Sequence, residues 1–140
     1  MMDKKVLMCD DEAHILRAAQ IKLSHAGYNV TTAADGQEAW EAIVANPPDI
    51  LVTDLQMPRM DGMELSRRVR ENPATAQLPI VMLTAKGFEL AHLELAEKCG
   101  VLAVLPKPFS PRELVRYLDS VLAEGGSTAA TTGAGATAGN

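Results

Sequence analysis

The stretch KVLMCDDEAH, Lys5–His14, joins a short apolar block to three consecutive acids and then to the start of a segment with helical period. Side-by-side Asp10, Asp11 and Glu12 repel one another when all three are ionised. Capping of the following helix, or exposure at a solvated corner, would explain any one of these acids. A cation bound among them would explain the group, and the rest of the sequence is needed to decide between these interpretations.

The same unit, an apolar block followed by a helical segment, occurs five times along the chain. This alternation is typical of a parallel sheet built from βα units. Four blocks are continuously apolar, as expected for strands covered on both faces, whereas NVTTA (Asn29–Ala33) is more polar and fits an edge strand. We therefore predict an α/β fold with a five-stranded parallel sheet, a flavodoxin-like doubly wound (βα)5 arrangement with strand order 2-1-3-4-5. The predicted strands are Val6–Cys9, Tyr28–Ala33, Ile50–Thr53, Ile80–Leu83 and Val101–Leu105.

Local signals mark the ends of the helices. Capping boxes are predicted at Asp35 with Glu38 and at Ser110 with Glu113, and glycines that follow periodic segments are expected to end helices in the left-handed conformation. The predicted helices are Ala13–Ala26, Gln37–Ala45, Gly62–Glu71, Phe88–Lys98 and Pro111–Glu124. The glycines expected to end helices are Gly27, Gly100 and Gly125.

Length and composition restrict the class of protein. A chain of 140 residues suits one domain, and its net charge of −5 argues against electrostatic binding to nucleic acid or to anionic lipid. No apolar run approaches the roughly 20 residues that cross a bilayer, and the amino terminus lacks a signal peptide, so a cytoplasmic location is predicted. Cys9 and Cys99 are interpreted as small buried side chains. The basic cluster Arg67, Arg68 and Arg70 is interpreted as a solvated helix face.

The chain changes character after Glu124. The segment GGSTAATTGAGATAGN, residues 125–140, contains neither a large apolar residue nor a charge. Such a segment cannot bury enough surface to become ordered, so we predict a domain over residues 1–124 followed by a flexible tail over residues 125–140. A linker to a further domain is the alternative interpretation, and a plain disordered terminus is favoured over it.

The residues that can perform chemistry lie at the predicted strand ends. Strand one ends in Asp10 and Asp11, strand three in Asp54, strand four in Thr84 and strand five in Lys107. In an open parallel sheet these ends meet at one edge, where ligands bind. If strands one and three are neighbours, three carboxylates share a pocket, and full ionisation then requires a cation. Carboxylate oxygens without thiolate or imidazole favour Mg²⁺.

This set of groups favours phosphoryl chemistry. Asp54 is a carboxylate nucleophile able to form an aspartyl phosphate, and Mg²⁺ with Lys107 can neutralise the phosphoryl oxygens. Thr84 can donate its hydroxyl to the new phosphoryl group. The sequence contains neither a glycine-rich phosphate loop of the GxxxxGK[ST] type nor a dinucleotide fingerprint.

Four segments resemble, in order and spacing, the receiver domain of two-component response regulators, the CheY-like family. They are VLMCDDE (Val6–Glu12), PDILVTDLQMPRMDGMEL (Pro48–Leu65), LPIVMLTA (Leu78–Ala85) and VLPKPFSPREL (Val104–Leu114). The resemblance extends from Lys4 to about Ala123. The four motifs together are highly specific, although any one of them alone would be weak.

The resemblance implies a role for each site residue. Asp54 matches the phosphorylated aspartate, Asp11 the acid that binds Mg²⁺ directly and Asp10 the neighbour that acts mainly through metal-bound water. The remaining matches are the backbone carbonyl of Gln56 as third protein ligand, Lys107 as the lysine that pairs with the phosphoryl group and Thr84 as the switch hydroxyl. The implied phosphoryl donor is a phosphohistidine on a sensor histidine kinase or a histidine phosphotransfer protein.

One position departs from the family pattern. Three residues before the lysine the family commonly has Tyr or Phe, whose ring turns inward when the threonine moves; here the residue is Val104. We expect the chemistry to survive this change, while the usual route from the phosphorylated site to the output face is in question. Gln56 and Lys86, at variable positions beside the pocket, are expected to tune the lifetime of the phosphoryl group.

Three functions are compatible with these features. The favoured one is a stand-alone receiver, a phosphoacceptor rather than an enzyme, that switches its affinity for a downstream protein without contacting nucleic acid or membrane. A Mg²⁺-dependent phosphohydrolase would also use an aspartate nucleophile, but that family resembles DxDxT after strand one, whereas this chain has DDEA there. The regulatory part of a DNA-binding transcription factor would require a basic helix-turn-helix beyond Glu124, and the sequence contains none.

Overall fold

The computed structural model describes residues 4–84, 94, 97–107 and 110–123. Five parallel strands form one sheet in the order β2-β1-β3-β4-β5, which confirms the predicted topology. The strands are β1 (Lys5–Cys9), β2 (Asn29–Ala33), β3 (Ile50–Asp54), β4 (Ile80–Thr84) and β5 (Ala103–Pro106). The helices are α1 (Ala13–His25), α2 (Gly36–Ala45), α3 (Gly62–Glu71) and α4 (Pro111–Ala123).

Part of the predicted helix Phe88–Lys98 can be compared with the structure. Glu94, Glu97 and Lys98 are helical, and the other residues of that prediction lie outside the described residues. The predicted tail, with Gly125, and the variable position Lys86 also lie outside them. Across the described part of the chain, no helix has the length and apolar character needed to span a membrane.

The helices cover both faces of the sheet, which explains the continuously apolar strands. Successive side chains of a strand point to opposite faces, so each central strand contributes to two cores. One core contains Leu7 and Leu51 of the sheet with Ile43 of α2 and Leu65 of α3. The other contains Val6, Met8 and Val52 with Leu23 of α1 and Leu118 of α4. β1, β3 and β4 therefore lie between two apolar layers, and their carboxyl ends are held rigidly.

The edge strands differ from the central three. β2 alternates between exposed and more buried positions, as its polar sequence predicted, and β5 is half-buried along most of its length. β2 begins at Asn29 rather than at the predicted Tyr28. The reason is local, because the Tyr28 backbone N–H donates to the Leu23 carbonyl at the end of α1, at 3.1 Å, instead of joining the ladder.

Helix caps set where the connections turn. The Asp35 carboxylate accepts a hydrogen bond from the Glu38 N–H at 2.8 Å, whereas Glu38 reaches back to the Ala34 N–H rather than to that of Asp35. Asp61 caps α3 in the same way through the Glu64 N–H at 2.9 Å. Ser110 accepts from the Arg112 N–H at 3.1 Å. The predicted caps at Asp35 and Ser110 thus exist, although their partners are shifted by one residue from a strict capping box at these two helices.

The predicted solvated face of arginines is correct for two of the three residues. Arg67 and Arg68 are exposed and pair with Glu64, and Arg67 also pairs with Glu71. Arg70 instead lies half-buried, and its guanidinium donates to four backbone carbonyls. Those carbonyls belong to Ala76, Leu78, Cys99 and Gly100, at 2.6–3.1 Å. Burial lowers the pKa of Arg70 from its ordinary value, and the side chain connects α3 to the turn before β5.

The two cysteines also differ from each other. Cys9 is fully buried as predicted, but Cys99 is only half-buried because it lies in the turn that presents its carbonyl to Arg70. Gly100 in this turn has φ +68° and Gly27 has φ +103°, in agreement with their predicted left-handed role.

The arginines of α3 provide a matched test of this difference. We expect Arg70→Gln to lower the free energy of unfolding by about 2–3 kcal/mol, because several carbonyls lose a charged donor. Arg67→Gln removes exposed ion pairs and should cost about 0.5 kcal/mol or less. Denaturant unfolding of both variants checks the expectation, and equal losses would contradict it.

Candidate functional site

The sheet register brings the acidic residues together. Cys9 of β1 is paired with Thr53 of β3, so the residues that follow them, Asp10 and Asp54, leave neighbouring strands at the same level. Asp10, Asp11 and Asp54 each offer a carboxylate oxygen, and these oxygens lie within 4.8 Å of one another. Asp10 and Asp54 are buried, whereas Asp11 is exposed at the mouth of the group. We call these three residues the acidic cluster.

Lys107 is the cation nearest to the acidic cluster in the described part of the chain. Its Nζ atom lies 2.8 Å from Asp10 Oδ2 and 3.3 Å from Asp54 Oδ2, with Glu12 Oε1 further away at 3.7 Å. The Lys107 backbone N–H donates to the Thr84 carbonyl at 2.7 Å, which fixes the lysine at the ends of β4 and β5. The ammonium therefore reaches both buried carboxylates from across the sheet.

The charges in this site are not balanced by one lysine. Burial raises the pKa of Asp54, and the negative charge of Asp10 raises it further. Lys107 and the Gln56 N–H act in the opposite direction but do not cancel these effects. Burial by itself would lower the pKa of Lys107, yet its contacts with Asp10 and Asp54 outweigh burial and raise it. The ammonium stays charged while the Asp54 carboxylate is destabilised.

The two carboxylate oxygens of Asp10 have different partners. Oδ1 accepts a hydrogen bond from the Glu12 N–H at 2.9 Å. Oδ2 is buried and, among the described residues, makes its ion pair with Lys107 without a well-aligned hydrogen bond. One ammonium compensates only part of the charge of three neighbouring carboxylates, and buried like charges are costly without a further cation. The donor set consists of hard oxygens, so Asp10, Asp11 and Asp54 fit Mg²⁺.

The other predicted site residues are placed as follows. Gln56 is exposed, and its backbone N–H lies against the Asp54 carboxylate; the role of its carbonyl as a metal ligand stays a prediction. Thr84 ends β4, is buried and pairs in register with Pro106 of β5. The assignment of Thr84 as a switch hydroxyl and of Asp54 as phosphoacceptor likewise stays a prediction.

Three features of the site were not singled out in the sequence. A Cβ atom added at Gly62 would lie 2.4 Å from the Asp54 carbonyl oxygen, so α3 begins in direct contact with the strand end. The Cys9 thiol lies 3.3 Å from the Asp35 carbonyl, and burial raises its pKa to about 12, which keeps it protonated. Arg59 forms an ion pair with Asp35. Only the first of these three features had a signal in the sequence, because Gly62 directly follows Asp61, a residue type that caps helices.

The fold and this acidic site together are those of a receiver-type signalling domain. The family model for the response regulator receiver domain matches residues 6–119, and the chain belongs to this family. Phosphorylation and Mg²⁺ binding are typical of the family. A putative response regulator from Chloroflexus aurantiacus has the same fold, with a TM-score of 0.79 and 38% identity over 87% of this chain and 99% of that one.

Further relatives support the same family. The chemotaxis protein CheY4 of Vibrio cholerae has a TM-score of 0.79 and 33% identity over 86% of this chain and 99% of its own. The phosphate regulon transcriptional regulatory protein PhoB of Pseudomonas aeruginosa is 41% identical over 87% of this chain and 53% of its own length. The alkaline phosphatase synthesis transcriptional regulatory protein PhoP of Bacillus subtilis is 38% identical over 86% of this chain and 49% of its own. The chain thus spans about half the length of these two curated relatives.

The raised pKa of Asp54 has a consequence for stability. Because the native state holds this proton more tightly than the unfolded state, ionising Asp54 destabilises the fold as pH rises above the ordinary carboxyl range. Without metal at neutral pH, Asp54→Asn should therefore raise the thermal midpoint by a few degrees. The gain should disappear at low pH, where Asp54 is protonated in both the native and unfolded states.

Addition of Mg²⁺ should change this comparison. At about one hundred times its Kd, a bound ligand raises the free energy of unfolding by about 2.7 kcal/mol. We expect this stabilisation in the wild type and little of it in Asp54→Asn, which lacks one ligand charge. Thermal melts with Mg²⁺ and with chelator check both statements. A metal-free Asp54→Asn variant that melts below the wild type at neutral pH would contradict them.

Proposed function

We propose that this receiver domain accepts a phosphoryl group on Asp54 in a Mg²⁺-dependent reaction and, acting by itself, changes its affinity for a partner protein. The donor is the phosphohistidine of a sensor histidine kinase or of a histidine phosphotransfer protein. The observation that carries this proposal is the meeting of three carboxylates and Lys107 at adjoining strand ends.

The chain's own residues have separate parts in the proposed transfer. A carboxylate oxygen of Asp54 attacks phosphorus, the P–N bond of the donor breaks and the imidazole leaves with its electron pair. Lys107 lies 3.3 Å from Asp54 Oδ2, close enough to offset charge on the phosphoryl oxygens. Thr84, at the end of the neighbouring strand, donates its hydroxyl to the product. Bound Mg²⁺ would supply additional positive charge at the same oxygens.

The proposed activity is limited to the domain itself. The domain catalyses its own phosphorylation and the hydrolysis of its own aspartyl phosphate, and it turns over no separate substrate. The rival phosphohydrolase would place its nucleophile after strand one, whereas Asp54 ends β3. A phosphatase assay on small phosphate esters distinguishes the two, because the proposed function predicts no turnover.

A second candidate function is suggested by the relatives. PhoB and PhoP are transcriptional regulators by name, and this chain spans about half the length of each. Under this alternative, the domain controls a DNA-binding unit, and its partner is that unit. The test is whether the phosphorylated chain of 140 residues captures a separate protein from the same cell. Such capture, lost in Asp54→Asn, favours the proposed partner switch.

Intact mass tests the phosphorylation site. Incubation with a small acyl phosphate and Mg²⁺ should add the mass of one phosphoryl group to the wild type. Asp54→Asn or an excess of chelator should abolish the addition, because the nucleophile or the bound cation is then missing. Asp61→Asn is the matched control, since Asp61 lies outside the acidic cluster and Asn caps a helix equally well. A wild-type level of labelling in Asp54→Asn would refute the proposal.

The proposed signal leaves the site without a side-chain switch at Val104. It is half-buried in β5 opposite Met82 of β4, and valine is short and has a restricted χ1 angle. It cannot swing between buried and exposed positions as a large ring does. The proposed output therefore uses the segment that follows Thr84 and the helix predicted to begin near Phe88, most of which lies outside the described residues.

Backbone NMR checks this route. With a phosphate mimic bound, we expect larger amide shifts from Thr84 to Leu95 than from Val101 to Leu105. The physical reason is that the conformational change at Thr84 has no aromatic ring in β5 to act on. Asp54→Asn with the same mimic is the control for non-specific shifts. Changes centred on Val104, with the Thr84–Leu95 amides unaffected, would instead indicate the conventional route through strand five.

A further inference from the structure

The loop between β3 and α3, residues 55–61, carries the predicted carbonyl ligand Gln56. Both ends of this loop are anchored by backbone hydrogen bonds. The Leu55 N–H donates to the Leu83 carbonyl at 2.7 Å, and the Gly62 N–H donates to the Leu55 carbonyl at 2.8 Å. The middle of the loop needs another constraint if Gln56 is to keep a fixed position beside the acidic cluster.

Arg59 lies in the middle of this loop in an unusual conformation. Its φ of +68° is in the left-handed region, which non-glycine residues adopt uncommonly and at an energetic cost. Its guanidinium pairs with the Asp35 carboxylate across 24 positions of sequence. The Arg59 side chain is 70% exposed, but that of Asp35 is only 8% exposed, so one partner is held firmly.

Asp35 is well suited to fix Arg59. Its carboxylate also accepts the Glu38 N–H at the start of α2, and that hydrogen bond, followed by the contribution of Arg59, lowers its pKa. The backbone donor fixes the Asp35 carboxylate at the start of α2, so Arg59 has an ion-pair partner of defined position. The ion pair therefore joins the loop to the first turn of α2.

Close packing supports the same junction. A Cβ atom added at Gly36 would lie 2.1 Å from the Met60 carbonyl oxygen, so the first turn of α2 directly contacts the loop. On the other side, Cys9 Sγ lies 3.2 Å from Met57 Sδ and 3.3 Å from the Asp35 carbonyl oxygen. Cys9 precedes Asp10 in the chain. The loop, the start of α2 and the end of β1 thus meet next to the acidic cluster.

We infer that the Arg59–Asp35 ion pair is a positioning pair for Mg²⁺ binding. It holds the loop so that the backbone carbonyl of Gln56, the predicted ligand, stays beside the acidic cluster. This inference rests on the proposed Mg²⁺-dependent function. Asp35 does not belong to the carboxylate group that could hold a metal ion among the described residues. An effect of Asp35 on the metal is therefore indirect, and we infer that it passes through Arg59 and the loop, which the double variant tests.

The test is a calorimetric Mg²⁺ titration of the whole chain and of three variants. Asp35→Asn removes the charge but keeps a good helix cap. Arg59→Gly removes the guanidinium and suits the positive φ, so the backbone is not strained further. The double variant completes a thermodynamic cycle. Arg67→Gln is the control, because it breaks an exposed arginine–glutamate pair away from the site.

The expected result is a Mg²⁺ affinity about threefold to tenfold weaker in each single variant. The double variant should be no weaker than either single variant, since both remove the same contact, and Arg67→Gln should bind like the wild type. Arg59→Lys should recover part of the affinity because it restores a cation. Thermal midpoints measured alongside separate loss of affinity from loss of fold.

Two results would overturn this inference but leave the proposed function standing. They are wild-type affinity in either Asp35→Asn or Arg59→Gly, and losses that add in the double variant, which would mean that the two residues act independently. Failure of the wild type itself to bind Mg²⁺ would overturn the proposed function together with this inference. The wild-type titration therefore distinguishes the two failures.

Discussion

Two buried carboxylates at neighbouring strand ends are the constraint on which this domain depends. Asp10 and Asp54 are both almost inaccessible, and among the described residues they share one ammonium, that of Lys107. Burying like charges is costly unless cations compensate them. The domain maintains this arrangement because the two strands are fixed between two apolar layers. The site is thus prepared for a charge change, such as the binding of a cation or the addition of a phosphoryl group.

The features that the sequence predicted are those with a local signal. Apolar blocks and helical periods identify the elements, and the parallel arrangement places all strand ends at one edge of the sheet. The proximity of Asp10, Asp11 and Asp54 follows from the order β2-β1-β3 and needs no knowledge of side-chain packing. For the same reason, Lys107 could be assigned to the edge before its distances were known.

The features that the sequence could not predict depend on tertiary contacts. Arg67, Arg68 and Arg70 have the same charge in one short run, yet Arg70 follows the buried Ser66 by one turn and so turns toward backbone carbonyls. Its carbonyl partners are separated from it by up to 30 positions. The positive φ of Arg59 could not be predicted, because the residue is not a glycine. The ion pair that compensates this conformation involves Asp35, which is distant in the sequence.

The link between the strands suggests how a receiver can signal without an aromatic residue in β5. In the proposed reaction, a phosphoryl group on Asp54 competes with Asp10 for Lys107, since one ammonium cannot pair fully with every anion. The Lys107 N–H donates to the Thr84 carbonyl, so a shift of the lysine backbone also moves the end of β4. A side-chain rotor at Val104 is then unnecessary for the first step of the proposed output, because a displacement of Lys107 would reach the end of β4 through this backbone hydrogen bond.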